Sequence, residues 1–498
     1  MLFPALMALV ATAACLPSSN KTHSNSSEAA YQYLNPKTQP FLVNGSAIPE
    51  VAFDVGESYA GLLPVSNSTD SDLFFWFFPS KDPKASNEVC SNLLCPERYS
   101  ISLLINRKIT IWLNGGPGDS GMLGMLQGNG PFLWQPGSPK PVRNPHSWNL
   151  LTNIVYMDQP VGTGFSSGTR DFNDVEDIAR QFLMWFENFV NTFDLHGRKV
   201  YIVGESYAGH MIPYIAARML DRGDTTYFNV KGIQIINGLV NEYAVLQAAP
   251  AANALDHFRE ELGLNHTLVS ELKAKADGCG YTQFMADALT YPPPVNFPAT
   301  PDDSRTDCRI WQKSIGAIFG ANSCFNVYHL TDKCPYLPDV MEEGPSNYFN
   351  RPEVQKLLHV VPPREYRSRG GFQWTGNPGK NYLGPMPSAW GPLPRVIERT
   401  NNTIISHGVL DYLFLVNGTL ATIQNMTWNG ARGFHKAPTD RFLVPQLGLV
   451  ASDEGSAHSE RGLTFTSVTR GGHAMTQYAP RAAYRQLEFL LGRIQSLY

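Results

Sequence analysis

The 498-residue chain is 43% hydrophobic and only 16% charged, with 39 basic against 43 acidic residues and a formal net charge of -4. That balance leaves neither a basic footprint for nucleic acid nor a polybasic stretch for a membrane surface. Glycine and proline, 42 and 37 residues, are too few for a disordered or collagenous chain, and the length can bury a large core as one α/β unit.

In chain order, residues 1–16 (MLFPALMALVATAACL) are apolar and uncharged, and Ala11-Thr12-Ala13 fits the small-x-small cleavage pattern of a secretory signal peptide. No other uninterrupted apolar run approaches the ~18 residues that span a bilayer, so no membrane anchor is expected. Export agrees with the sequons, which begin at Asn20, Asn25, Asn44, Asn67, Asn265, Asn401, Asn417 and Asn425 and are candidate N-glycosylation sites. Of seven cysteines, Cys15 falls in or beside the leader and leaves Cys90, Cys95, Cys279, Cys308, Cys324 and Cys334. An even remainder in an exported chain reads as disulfides, and the spacings lack the short paired pattern of a zinc site. Six cysteines leave the connectivity open.

Short apolar segments predict strands at Leu73–Phe78, Ile109–Leu113, Asn153–Met157, Val200–Val203, Gly232–Ile236 and Thr403–Ser406. Between the third and fourth, Asp174–Phe193 carries apolar residues at helical spacing, with a wide face for packing on a sheet. Such alternation predicts an α/β fold with a mostly parallel sheet covered on both faces. From about residue 243 to 345 the character changes to four cysteines, a proline run at 292–294 and short helical stretches, read as a mainly helical insertion between sheet elements.

Lys199–Leu220 (KVYIVGESYAGHMIPYIAARML) reads as strand, sharp turn and helix, with Ser206 at the turn between Gly204 and Ala208. Small flanking residues allow the strained backbone that lifts a serine Oγ above a sheet, the nucleophile-elbow pattern. A serine needs a base held by a third group, in the chain order Ser, Asp or Glu, His. Asp411 follows a predicted strand and His473 follows a glycine pair in a loop. His407 and His458 are rivals: His407 precedes the aspartate and reads as structural, and His458 lies in AHSERG, read as a solvated turn.

WLNGGPGDSG (Trp112–Gly121), NPHSWN (Asn144–Asn149), VYMDQPVGTGFS (Val155–Ser166), GESYAG (204–209) and GGH (471–473) resemble the serine carboxypeptidases, most closely the secreted fungal ones. The matches run in order from about residue 50 to 485. This resemblance implies an α/β-hydrolase fold, delivery to the medium or the vacuole, and removal of single residues from peptide C-termini without metal or organic cofactor. It assigns Ser206, Asp411 and His473 as the triad and the N–H groups of Gly116 and Tyr207 as the oxyanion hole. It assigns Asn114, Gly115 and Glu205 to the substrate carboxylate. A carboxyl group that receives a carboxylate must itself be protonated, so an acidic optimum is expected. An acyltransferase or esterase on the same scaffold, or a catalytically impaired secreted homologue, would share much of this pattern.

The chain departs from the family pattern in four places. Gly128 stands where related chains carry glutamate, and Asp119 where they carry cysteine. With no cysteine after Cys334, the disulfide from that position is expected to be absent. Ala474 and Thr476 replace a larger side chain and a proline after the histidine, changes expected to alter the pocket for the leaving residue. Val89–Lys108 interrupts a junction that related chains make almost directly. Its ends are codon-compatible with intron borders and its 20 residues correspond to an in-frame 60 nucleotides, so it reads as a retained intron or a loop insertion. By resemblance the remaining pairing is expected to be Cys308–Cys334 and Cys279–Cys324.

Overall fold

The computed structural model describes residues 31–66, 70–82, 108–170, 172–302, 304–335, 337–370, 372, 374–375, 384–446 and 449–498. The expected leader, Cys90, Cys95, the sequons at Asn20, Asn25 and Asn67, and residues 89–107 lie outside them.

Strand β1 is Leu42–Val43, β2 Ser58–Pro64, β3 Asp72–Phe78, β4 Lys108–Leu113, β5 Asn153–Met157, β6 Lys199–Glu205, β7 Val230–Ile236, β8 Thr403–Gly408, β9 Asp440–Gln446, β10 Leu449–Glu460 and β11 Leu463–Val468. They form one eleven-stranded sheet in the order β1-β2-β3-β5-β4-β6-β7-β8-β11-β10-β9. The stretch β5-β4-β6-β7-β8-β11 is parallel, and the pairs outside it on both sides are antiparallel. All six expected strands lie in it, five of them longer by one to three residues.

Because successive side chains of a strand point to opposite faces, each strand feeds two cores. Phe75 and Phe77 of β3, Ile109 and Ile111 of β4 and Val155 of β5 enter one. Phe74, Trp76, Trp112, Ile154 and Tyr156 enter the other. Two buried faces explain why these segments read as continuous apolar runs without polar alternation.

Helix α1 is Gly121–Gly124, α2 Val175–Phe193 and α3 Ala208–Arg222. The Asp174 side chain caps α2 by accepting from the Glu176 and Asp177 amides. The inner face of α2 then sets Phe189 against Phe75 and Phe77, with ring centroids 5.4 and 5.5 Å apart. Fully burying each such ring is worth roughly 1.5–3 kcal/mol, which seats the helix on the sheet.

Four of the helices between β7 and β8, α4 Ala249–His257, α5 His266–Gly278, α6 Tyr281–Ala288 and α7 Ile310–Ala321, share a third apolar cluster. The disulfides correct the expected pairing: Cys279 bonds Cys308 and Cys324 bonds Cys334, with Cα separations of 5.7 and 5.2 Å. Cys279 follows the end of α5, and the short turn Thr306–Cys308 packs on that helix, so the two thiols meet locally. Cys324 and Cys334 close a tight loop of their own. At Asp119, where a further bridge was expected to be missing, the seam is held by backbone. The Ser120 amide donates to Ser368 O at 2.9 Å, and a Cβ on Gly118 would lie 2.6 Å from Phe372 Cβ.

His458 is a second correction. It lies within β10, opposite Phe465 of β11, and is only 7% exposed, with Nε2 3.2 Å from Glu460 Oε2. The segment looked like a turn because most of its side chains are polar, yet the hairpin turns its ring inward. Helix α8, Leu393–Thr400, leads into β8 and α9, Val416–Asn425, follows it; α10 Met475–Tyr478 and α11 Pro480–Leu490 come after β11.

Candidate active site

Ser206 joins the end of β6 to α3 with φ +63°, a left-handed conformation that a non-glycine residue adopts only under constraint. The constraint is visible in the packing. A Cβ on Gly204 would lie 2.2 Å from Leu113 O and 2.9 Å from Ala208 Cβ, so both flanking positions must be small. The Ser206 amide donates to Ile236 O at 3.0 Å, and its carbonyl accepts from Gly209 and Leu239.

Asp411 lies three residues past β8, buried, with Oδ1 accepting from the amides of Leu413 (2.8 Å) and Phe414 (3.2 Å). Its Oδ2 accepts from His473 Nδ1 at 2.7 Å. The imidazole is 5% exposed, between the rings of Tyr328 and Phe414, whose centroids lie 5.3 and 5.7 Å away. His473 Nε2 has no hydrogen-bond partner among the described residues. Ser206 and His473 line one cavity of about 950 Å³. Apo sites often show such loose contacts, which tighten only when substrate is bound. His407 is structural as expected: it is fully buried, with Nε2 donating to Phe414 O at 2.9 Å and Nδ1 3.0 Å from Thr419 Oγ1.

Asn114, Gly115, Gly116, Glu205 and Tyr207 line the same cavity. A Cβ on Gly115 would lie 2.5 Å from Tyr207 N and 2.6 Å from Ser206 Cβ, so only glycine leaves that space open. Asn114 Nδ2 donates to Glu205 Oε1 at 2.9 Å, and Asn114 Oδ1 accepts from Trp112 Nε1 at 2.6 Å. Glu205 Oε2 is buried without a partner among the described residues. Burial, reinforced by Asp119 and opposed by His473, pushes the Glu205 carboxyl up to about 7. Burial pushes the His473 imidazole down, but Asp411, Glu205 and Asp119 more than offset this and leave it above the ordinary histidine value.

The sequence reading missed Asn237, fully buried and directly after β7 with φ +46°. Its Nδ2 donates to the carbonyls of Gly472 (2.8 Å) and His473 (2.6 Å), and its Oδ1 accepts from the Gly408 amide (2.6 Å). One amide thus ties the His473 loop to the end of the strand that carries Asp411. Its position at the carboxyl end of a central parallel strand, where open α/β sheets place their sites, was the available signal. Asn237→Ala leaves buried partners unpaired, at a cost of roughly 2–3 kcal/mol. We expect lower thermal stability and kcat down about tenfold, with KM little changed, in steady-state assays beside a melting curve.

A serine at a strand-to-helix turn above a mostly parallel sheet, with an aspartate and a histidine from loops after later strands, defines an α/β-hydrolase. The family model described as serine carboxypeptidase matches residues 49–492, and the chain belongs to that family of hydrolases. A carboxypeptidase Y homolog of Arthroderma benhamiae is 48% identical over 94% of this chain and 90% of its own. Serine-type carboxypeptidase F of Aspergillus niger is 35% identical over 94% and 89%. Among solved structures, a prohormone-processing carboxypeptidase from Saccharomyces cerevisiae, Kex1(delta)p, matches with TM-score 0.69 and 22% identity, covering 93% of this chain and 97% of that one; it shares the fold.

Proposed function

We propose that this enzyme releases C-terminal residues from peptides and proteins through an acyl-enzyme on Ser206, at acidic pH. His473 Nε2 takes the Ser206 proton as Oγ attacks the last peptide carbonyl, then gives it to the departing amine. Asp411 holds the Nδ1–H, so the ring keeps the required tautomer and its positive form is stabilised. The N–H groups of Gly116 and Tyr207 receive the developing oxyanion, at about 3 kcal/mol each. Water then releases the acyl group by the same relay in reverse. Asn114, the Gly115 amide and a protonated Glu205 grip the free carboxylate. The observation that carries the reading is the buried Asn114–Glu205 pair in the cavity that also holds Ser206 and His473. An ordinary esterase has no use for a neutral carboxyl placed there.

The test compares a blocked dipeptide with its C-terminal amide from pH 3 to 8. We expect strong preference for the free acid below pH 7. Equal cleavage of acid and amide would sink the exopeptidase reading and favour a relaxed hydrolase.

We also propose entry into the secretory pathway with delivery to the medium or vacuole. The expected leader and the disulfides support this, as do exposed sequon asparagines at Asn44, Asn265 and Asn401. Asn417 and Asn425 are half-buried and make poorer acceptors. Among the described residues no helix is long and apolar enough to cross a membrane.

A further inference from the structure

The cavity wall beside the Asn114–Glu205 pair is unusually bare. Helix α1 runs into a π-helical turn, Met125–Asn129, and together they present Gly124 and Gly128 to the cavity. Four residues apart on a helix, these positions share one face, about one turn or ~5 Å from each other. At the near end, the Gly124 amide donates to Asn114 Oδ1 at 3.2 Å. At the far end α10 closes in: a Cβ on residue 128 would lie 2.2 Å from Thr476 Oγ1 and 2.9 Å from Thr476 Cβ. No side chain fits at 128 while Thr476 occupies that space. Thr476 is 2% exposed and lines the cavity, and its hydroxyl has no hydrogen-bond partner among the described residues. The two family departures noted at 128 and 476 are therefore one feature, a missing side chain on one element and a hydroxyl in its place from another.

We propose that the Thr476 hydroxyl donates a hydrogen bond to the C-terminal carboxylate of the substrate, completing the grip begun by Asn114 and Glu205. The proposal rests on the carboxypeptidase reading above. A hydroxyl is a donor at every working pH, whereas a carboxyl donates only while protonated, so this contact does not titrate. It also adds no negative charge beside the bound carboxylate, as an ionised side chain reaching in from position 128 would.

The experiment measures kcat and KM on the blocked dipeptide acid and its amide for wild type, Thr476→Val and Thr476→Ser, with melting curves as a check on folding. Losing one hydrogen bond to a charged group should raise KM for the acid about tenfold in Thr476→Val. The amide's KM and both kcat values should stay within about twofold, and Thr476→Ser should behave as wild type. An acid-to-amide KM ratio unchanged in Thr476→Val overturns the proposal, as does loss of the preference in both variants, which would mark a packing role. If Thr476→Val does not fold, Thr476→Ala takes its place: the KM for the acid should rise by a similar factor with the amide's KM unchanged, and an unchanged acid-to-amide KM ratio overturns the proposal. A wild type with no preference for the acid sinks the parent reading, whereas a wild-type preference that Thr476→Val leaves intact sinks only this one.

Discussion

Ser206→Ala should abolish turnover, lowering kcat on the order of 10⁶-fold, the scale seen when a serine-triad nucleophile is removed. Folding should be nearly unchanged, because Oγ makes no hydrogen bond that His473 Nε2 depends on in the free enzyme. His473→Ala should cost about as much, and the double variant little more than either single, since the two groups act as one unit. Asp411→Asn is the sharper probe. Oδ1 would still accept from the Leu413 and Phe414 amides, but an amide nitrogen at the Oδ2 position would push His473 into the wrong tautomer. We expect a loss of about 10⁴-fold with KM nearly constant. Active-site titration with a serine-directed phosphonylating reagent, read by mass, would check the assignment independently of turnover. Labelling at any residue other than Ser206 would overturn it.

The parallel core was legible because strands buried on both faces leave nearly unbroken apolar runs, as in Val200–Val203 and Ile154–Met157. The same reasoning failed at the far edge. Leu449–Glu460 alternates small and polar side chains with few apolar ones, so its inward residues, Glu454, Ala457 and His458, carried no hydrophobic signal. The serine announced itself through local sterics, since Gly204, Ser206 and Ala208 lie within five residues. Asn237 did not, because its role is to join loops more than 170 residues further along the chain, a relation only the fold creates. Connectivity of the disulfides failed for a similar reason: it depends on where α5 ends relative to the turn at Thr306–Cys308, a packing outcome invisible in spacing. Gly128 and Thr476 were each legible as departures, but their contact was not. Asp119 shows a further gap between sequence and site. The loss of a cysteine was clear, but the consequence lies in the cavity, where burial raises the Asp119 carboxyl against the pull of Arg369 and His473.

The second large effect concerns Glu205 and pH. With its carboxyl pushed up to about 7 by burial, Glu205 is neutral in acid and charged in base. Above pH 7 its ionisation sets a carboxylate against the substrate's own. Two like charges 4 Å apart cost about 4 kcal/mol at an effective dielectric of 20, enough to expel the ligand unless a proton is taken up first. The acid-to-amide preference should therefore hold below pH 7 and fall by up to tenfold per pH unit above it, about a hundredfold by pH 9. Taking the ratio of the two substrates removes the titration of His473, which must be neutral to accept the Ser206 proton from either. Glu205→Gln keeps an oxygen to accept from Asn114 Nδ2 and cannot ionise. In that variant the ratio should be flat from pH 5 to 9, so that it exceeds wild type in base while matching it within a few-fold in acid. The Thr476 contact predicts the complementary result, since Thr476→Val should lower the ratio by the same factor at every pH. A wild-type ratio that does not change across pH 7, or a Glu205→Gln ratio that falls as steeply as wild type, would show that Glu205 does not meet the substrate carboxylate.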